Sequence, residues 1–114
     1  MRSISDLREK TNDYFSDCAY VPMDELLDVD IVILDAVTFE NRDGLPTAAI
    51  KACYADQAGN PTEQIFKTTT HAGPIVDMLK TAQVIDLLAA GEPIGARIIE
   101  KKSKNSNRTY RTFA

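Results

Sequence analysis

Apolar and polar residues alternate along parts of this chain and recur at helical spacing along others, and the switch between the two periods divides it into elements. The run Asp30–Phe39, DIVILDAVTF, is rich in β-branched residues and too short for an ordinary helix, so it predicts a strand. Strict alternation puts Ile31, Ile33, Asp35, Val37 and Phe39 on one side and Val32, Leu34, Ala36 and Thr38 on the other. Both sides are largely apolar, which predicts a central strand or one that bends between two layers of a barrel. Glu40–Gly44 reads as a turn ending in Asp-Gly. Thr47–Ala55 is a second strand, with Ala48, Ile50, Ala52 and Tyr54 opposing Lys51 and Cys53. After a turn over Asp56–Pro61, Glu63–Thr69 makes a third strand and completes a meander.

The period then changes. His71-Ala72-Gly73-Pro74 opens a helix, since proline at the first helical position has no N–H partner to lose. Ile75, Met78, Leu79 and Ala82 form its apolar stripe, continued by Ile85, Leu88 and Ala89 up to a glycine stop at Gly91. Gln83-Val84 marks a bend or a break into two short helices. Ile94–Phe113 reads as a β-hairpin: an apolar strand running into lysines, a polar turn over Ser103–Asn107, and a second strand from Arg108. Ahead of the meander, Ile4, Leu7, Thr11, Tyr14 and Phe15 sit near helical spacing, so residues 1–20 predict a helix or a loose arm. Val21-Pro22 breaks it, and Met23–Leu27 suits a single helical turn. The expected division is an arm over residues 1–22 and a domain over residues 23–114.

Composition narrows the class. A chain of 114 residues, 44% hydrophobic and 26% charged, is expected to fold as one soluble globular domain. No run approaches the roughly 20 apolar residues that cross a bilayer. The N-terminus lacks the apolar core of a signal peptide, which predicts a cytoplasmic protein. Cys18 and Cys53 form no CxxC pair and read most simply as free thiols, with a disulfide as the alternative. The sequon Asn107-Arg108-Thr109 carries no meaning without export.

Charge is unevenly spread. The net charge is -4, yet residues 94–114 hold six basic side chains against the single acid Glu100, while residues 1–43 hold four basic and eleven acidic. Such asymmetry points to an interaction surface in the basic part. Cations interleaved with Tyr110 and Phe113 suit a polyanion whose bases can stack.

Three strands, a helix and two strands is the order of the OB-fold, a five-stranded Greek-key barrel with a helix between strands three and four. With MDELLDVDIVILDAV at its entry, KTTTHAGPIVDMLKTA at the strand-to-helix passage and ARIIEKKSKNSNRTYRTF at its close, the chain resembles small OB-fold single-stranded-DNA-binding proteins of phages and mobile elements. The resemblance covers about four-fifths of the chain, from Met23 on, and its motifs are generic. It implies a mainly β barrel fold, a role in replication, recombination or repair, and a ligand face on strands two and three with the loops Phe39–Pro46 and Lys101–Asn107. The acidic recruiting tail of the familiar bacterial proteins has no counterpart after Phe113-Ala114, and there is no Trp to stack.

The candidate contacts each have a competing reading. Lys101, Lys102, Lys104, Arg108 and Arg111 would hold phosphates and make binding salt dependent; otherwise they are a solvated hairpin that discourages aggregation. Tyr110 stacks on a base or packs at a barrel rim, and Phe113 suits the core. Lys51, opposite Ile50, lies on the exposed side of its strand. Only one of Phe66 and Lys67 can face a ligand. Tyr54 divides between core and face, and Arg42, beside the first turn, is a phosphate candidate. Asn105 and Asn107 shape a turn or touch sugars and bases. His71 reads as a capping or packing residue. No zinc spacing joins Cys18, Cys53 and His71, a solvated face accounts for Asp24, Glu25, Asp28 and Asp30, and neither a Gly-rich phosphate loop nor GxSxG occurs. The expectation is a cofactor-free, non-enzymatic, sequence-tolerant binder of single-stranded DNA, with RNA also compatible, that assembles as a homo-oligomer through its arm. The alternative is an OB-like protein-interaction module, an accessory or inhibitor factor, that uses its acidic N-terminal face.

Overall fold

A computed structural model describes residues 14–104 and 107–114. The expected N-terminal helix falls mostly outside them; within them, residues 14–18 form turns and Ala19–Tyr20 a short strand, β1. A single 3₁₀ turn follows over Met23–Leu26 and buries Met23 and Leu26. Strands β2 (Asp30–Glu40), β3 (Pro46–Ala55) and β4 (Pro61–Thr70) make the meander. One device shapes both of its turns. Asn41 Oδ1 accepts the N–H groups of Asp43 and Leu45, both at 2.9 Å, and Gly44 takes φ 75°. Asp56 Oδ1 accepts those of Ala58 and Asn60, and Gly59 takes φ 84°. A side-chain acceptor followed three residues later by a glycine in the left-handed region closes a three-residue hairpin loop.

Helices α1 (Gly73–Leu79) and α2 (Ala82–Ala89) lead to β5 (Ile94–Lys102) and β6 (Thr109–Phe113). The helical segment breaks at Lys80-Thr81, ahead of the expected Gln83-Val84. Thr81 is extended (φ -66°, ψ 144°), and its hydroxyl donates to the Met78 carbonyl at 2.8 Å, ending one helix and starting the next. α1 buries Ile75, Val76 and Leu79, whereas α2 lays only Val84 and Leu88 against the core margin.

The protein is mainly β: six strands form one mixed sheet in the order β1-β4-β3-β2-β5-β6. It stays open, because its end strands β1 and β6 do not pair and β1 runs parallel along the edge of β4. The strict alternation expected for β2 does not hold. Leu34 is an extra residue, since Ile33 pairs with Ala52 and Asp35 already pairs with Lys51. Such a bulge moves every later side chain to the opposite face. Ile31 and Ile33 therefore share the core with Ala36, while Asp35, Val37 and Phe39 join Val32 on the outer face. Phe66, Ile50, Ile75 and Ile98 fill the core centre. Cys53 is buried, Cys18 is half-buried, and both are free thiols. Among the described residues no helix is long and apolar enough to cross a membrane.

Candidate nucleic-acid interface

The outer face of the sheet carries a row of side chains fixed by strand register. Lys51 on β3 stands opposite Lys67 on β4, Asp35 on β2 opposite Lys51, and Tyr20 on β1 in register with Lys67. Both lysines are half-buried, as expected of long cationic side chains whose stems pack on a sheet. Tyr20 is 54% exposed. Pro22 helps set it there: the residue before a proline is driven to extended backbone, and Val21 donates its N–H to the Lys67 carbonyl at 2.9 Å. Sequence reading missed Tyr20. Its only signal was a Tyr-Val-Pro run, and nothing in that run announces a parallel strand on the edge of β4.

A second cluster sits on the β5–β6 hairpin. Tyr110, 41% exposed, pairs with Lys101, and Lys102 pairs with Thr109. Ser103 donates its N–H to the Arg108 carbonyl at 2.9 Å, which closes the hairpin. Lys101, Lys102, Lys104, Asn107 and Arg108 are exposed; Asn105 lies outside the described residues. Arg111 departs from expectation. It is half-buried, hydrogen bonded to Asp24 and 4.0 Å from Glu100, so two carboxylates already balance its charge. Arg97 is similarly taken, by Asp30 at 2.8 Å. That hydrogen bond holds the Asp30 carboxyl below its ordinary value. Two members of the acidic group thus serve as partners of arginines, and no group of His, Cys, Asp and Glu among the described residues could hold a metal ion.

Other candidates are not brought together. Phe66, 2% exposed, fills the core, and its ring centroid lies 4.8 Å from that of Tyr54. Alternation forces this, since Lys67 takes the outer side and its neighbour must take the inner one. Neither Phe66 nor Tyr54 belongs to the outer face, and Phe113 also packs against the core. Arg42 is exposed at the β2–β3 turn, at the opposite end of β2 from the hairpin. By register, Lys101 lies roughly nine residues along the strands from Lys51, about 30 Å in a flat sheet. The lysine pair and the hairpin are therefore two stations, not one cluster.

His71 is exposed at the end of β4 and contacts Thr47 of β3. The Thr47 hydroxyl lies 3.0 Å from the Leu45 carbonyl and 2.9 Å from His71 Nδ1. The Thr47 hydroxyl thus bridges the Leu45 carbonyl and the His71 ring. A groove of about 180 Å³ between the helices and β5–β6 is lined by Met78, Val84, Ile94 and Phe113, with Arg97 its charged residue. No protein-family model matches the chain, and no curated protein or solved structure matches it either.

Proposed function

We propose that this protein binds single-stranded DNA with little sequence preference, on the outer face of its sheet, without catalysis. The observation that carries the reading is the cross-strand pair Lys51–Lys67 with exposed Tyr20 in the same row. Like charges directly opposite each other cost stability, and a phosphate between them would remove that cost. Capture begins at the hairpin, where Lys101, Lys102, Lys104 and Arg108 attract phosphates from a distance. Bases then stack on Tyr110 and Tyr20, contacts that tolerate any base because each has a π-face. The separation of the two stations suits an extended strand lying along the sheet.

The fold reading that accompanies this function is an OB-like arrangement. In its favour are the meander, the helices between β4 and β5, the antiparallel pairing of β2 with both β3 and β5, and the closing hairpin. The β3–β4 surface that carries the lysines corresponds to the usual ligand face of that fold.

The test is fluorescence anisotropy with labelled oligo-dT and a matched duplex over a salt series, on the wild type and on Lys51→Ala/Lys67→Ala. Expected is single-strand binding that weakens with salt and weakens further in the double variant. No binding at low salt, or equal preference for duplex, overturns the reading.

A further inference from the structure

The segment Tyr14–Cys18 crosses the outer face of the sheet. Tyr14 stacks on Phe39 of β2, with ring centroids 5.0 Å apart. Six residues later the chain has reached the far edge of β4, where Tyr20 is in register with Lys67. Between these anchors it passes over β3 and β4, the strands that carry the lysine pair. Cys18 donates its N–H to the Phe15 carbonyl at 2.9 Å, closing a turn there. The Cys18 thiol is pushed above its ordinary value, first by burial and then by Asp17, while Lys51 and Lys67 both pull it down. Cys18 directly precedes Ala19–Tyr20, the strand in register with Phe66–Lys67, and Asp17 Oδ1 lies 3.7 Å from its Sγ.

The segment is also strained. Phe15 takes φ 59°, the left-handed region, which a bulky side chain adopts only when its surroundings impose it. Among the described residues the segment is held by the ring contact of Tyr14, which is 37% exposed, the Cys18–Phe15 turn and a strand of two residues. Releasing the segment would relieve Phe15 and uncover Phe39.

We propose that residues 14–18 form a strap that lies over the Lys51–Lys67 pair in the free protein and is displaced when a nucleic-acid strand takes its place. The inference rests on reading the outer face as the strand-binding surface. The strap lays a ring on Phe39 and leads into the strand beside Lys67, so it occupies space that a nucleic-acid strand on this face would need. The face opens only to a ligand that displaces the strap.

The experiment uses the full chain with Cys53→Ala, which leaves Cys18 as the one thiol. Its alkylation by iodoacetamide, a neutral reagent, is followed with and without saturating oligo-dT of about 16 nucleotides. Tyr14→Ala, which changes no charge, is measured alongside. Expected are a severalfold faster alkylation of Cys18 when oligo-dT is bound, and roughly three- to tenfold tighter oligo-dT binding by Tyr14→Ala, the value of one lost ring contact. Oligo-dT that binds while Cys18 alkylation stays the same or slows overturns the strap, as does a Tyr14→Ala variant that binds no tighter. Failure of the underlying reading looks different: neither protein binds oligo-dT at low salt, and both proposals fall together.

Discussion

Lys51 and Lys67 face each other across adjacent antiparallel strands, and among the described residues no ion pair reaches either. Directly opposed like charges cost about 0.2–1 kcal/mol relative to a neutral pair. Lys67→Gln is therefore expected to move stability and binding in opposite directions. The urea midpoint rises by the equivalent of that cost. Oligo-dT affinity falls, and the slope of log K against log salt loses about 0.7, the value of one phosphate contact on a single strand. A variant that is stabilised but binds with an unchanged slope would remove the pair from the site.

The aromatic residues separate into two groups that one assay of stability and one of binding distinguish. Phe66 is buried against Tyr54, so Phe66→Ala is expected to cost about 3–5 kcal/mol of folding free energy, as large core truncations do. Tyr110 is exposed beside Lys101. Tyr110→Ala is expected to leave stability within about 0.5 kcal/mol and to weaken oligo-dT binding by about 1–3 kcal/mol if one base stacks there. A Tyr110→Ala variant that loses stability and keeps its affinity would assign that ring to packing.

Thr68 lies fully buried opposite Ile50, and among the described residues its hydroxyl has no hydrogen-bond partner. A buried donor left unpaired carries a desolvation cost of about 1–3 kcal/mol. Thr68→Val replaces the hydroxyl with a methyl group of similar shape. The variant is expected to be more stable by about 1 kcal/mol in chemical denaturation. Destabilisation by that amount would mean that the hydroxyl is paired in solution.

Much of this architecture was legible in the sequence, and the exceptions have identifiable physical causes. The meander followed from β-branched runs bounded by Asn41–Gly44 and Asp56–Gly59, where side chain and glycine specify the turn locally. Alternation set Lys51 opposite Ile50 and put Phe66 and Lys67 on opposite sides of their strand, because a period of two holds wherever a strand is regular; which of the two faces the core depends on the packing of Phe66 against Tyr54. It failed on β2, where the single extra residue Leu34 reverses the later faces; a bulge leaves no local mark when both faces are apolar. The hairpin's charge is countable from the sequence, but which of its arginines are paired is not. Whether an arginine is free depends on carboxylates distant in sequence, here Asp24 for Arg111 and Asp30 for Arg97. Tyr20 stayed hidden for a related reason, since its place in the row comes from long-range pairing with β4.

The Asp30–Arg97 pair gives a pH signature. The Arg97 hydrogen bond lowers the Asp30 carboxyl below its ordinary value of 3.8. A lowered carboxyl contributes stability that is fully present above the unfolded value and is lost as pH falls through the folded one. The contribution therefore disappears below pH 3.8, and both side chains are exposed enough for it to be small. An NMR titration of the Asp30 carboxyl is expected to show a midpoint below 3.8 in the wild type that returns toward it in Arg97→Gln. A wild-type midpoint at or above that value would mean that the pair is open in solution.

Arg111 contrasts with Lys102 on the same hairpin. Its charge is balanced by Asp24 and Glu100, and through Asp24 it ties β6 to the 3₁₀ turn. To meet a phosphate it would have to leave both acids, and the phosphate would then face the abandoned carboxylates. Arg111→Gln is therefore expected to leave the salt slope of oligo-dT binding unchanged while lowering stability by about 0.5–1 kcal/mol, the range of a partly exposed ion pair. Lys102→Gln is expected to do the reverse: the slope falls by about 0.7 and the denaturation midpoint stays where it was. Equal losses of slope in the two variants would show that the Asp24 pair opens on binding, and that Arg111 joins the phosphate contacts once a strand is present.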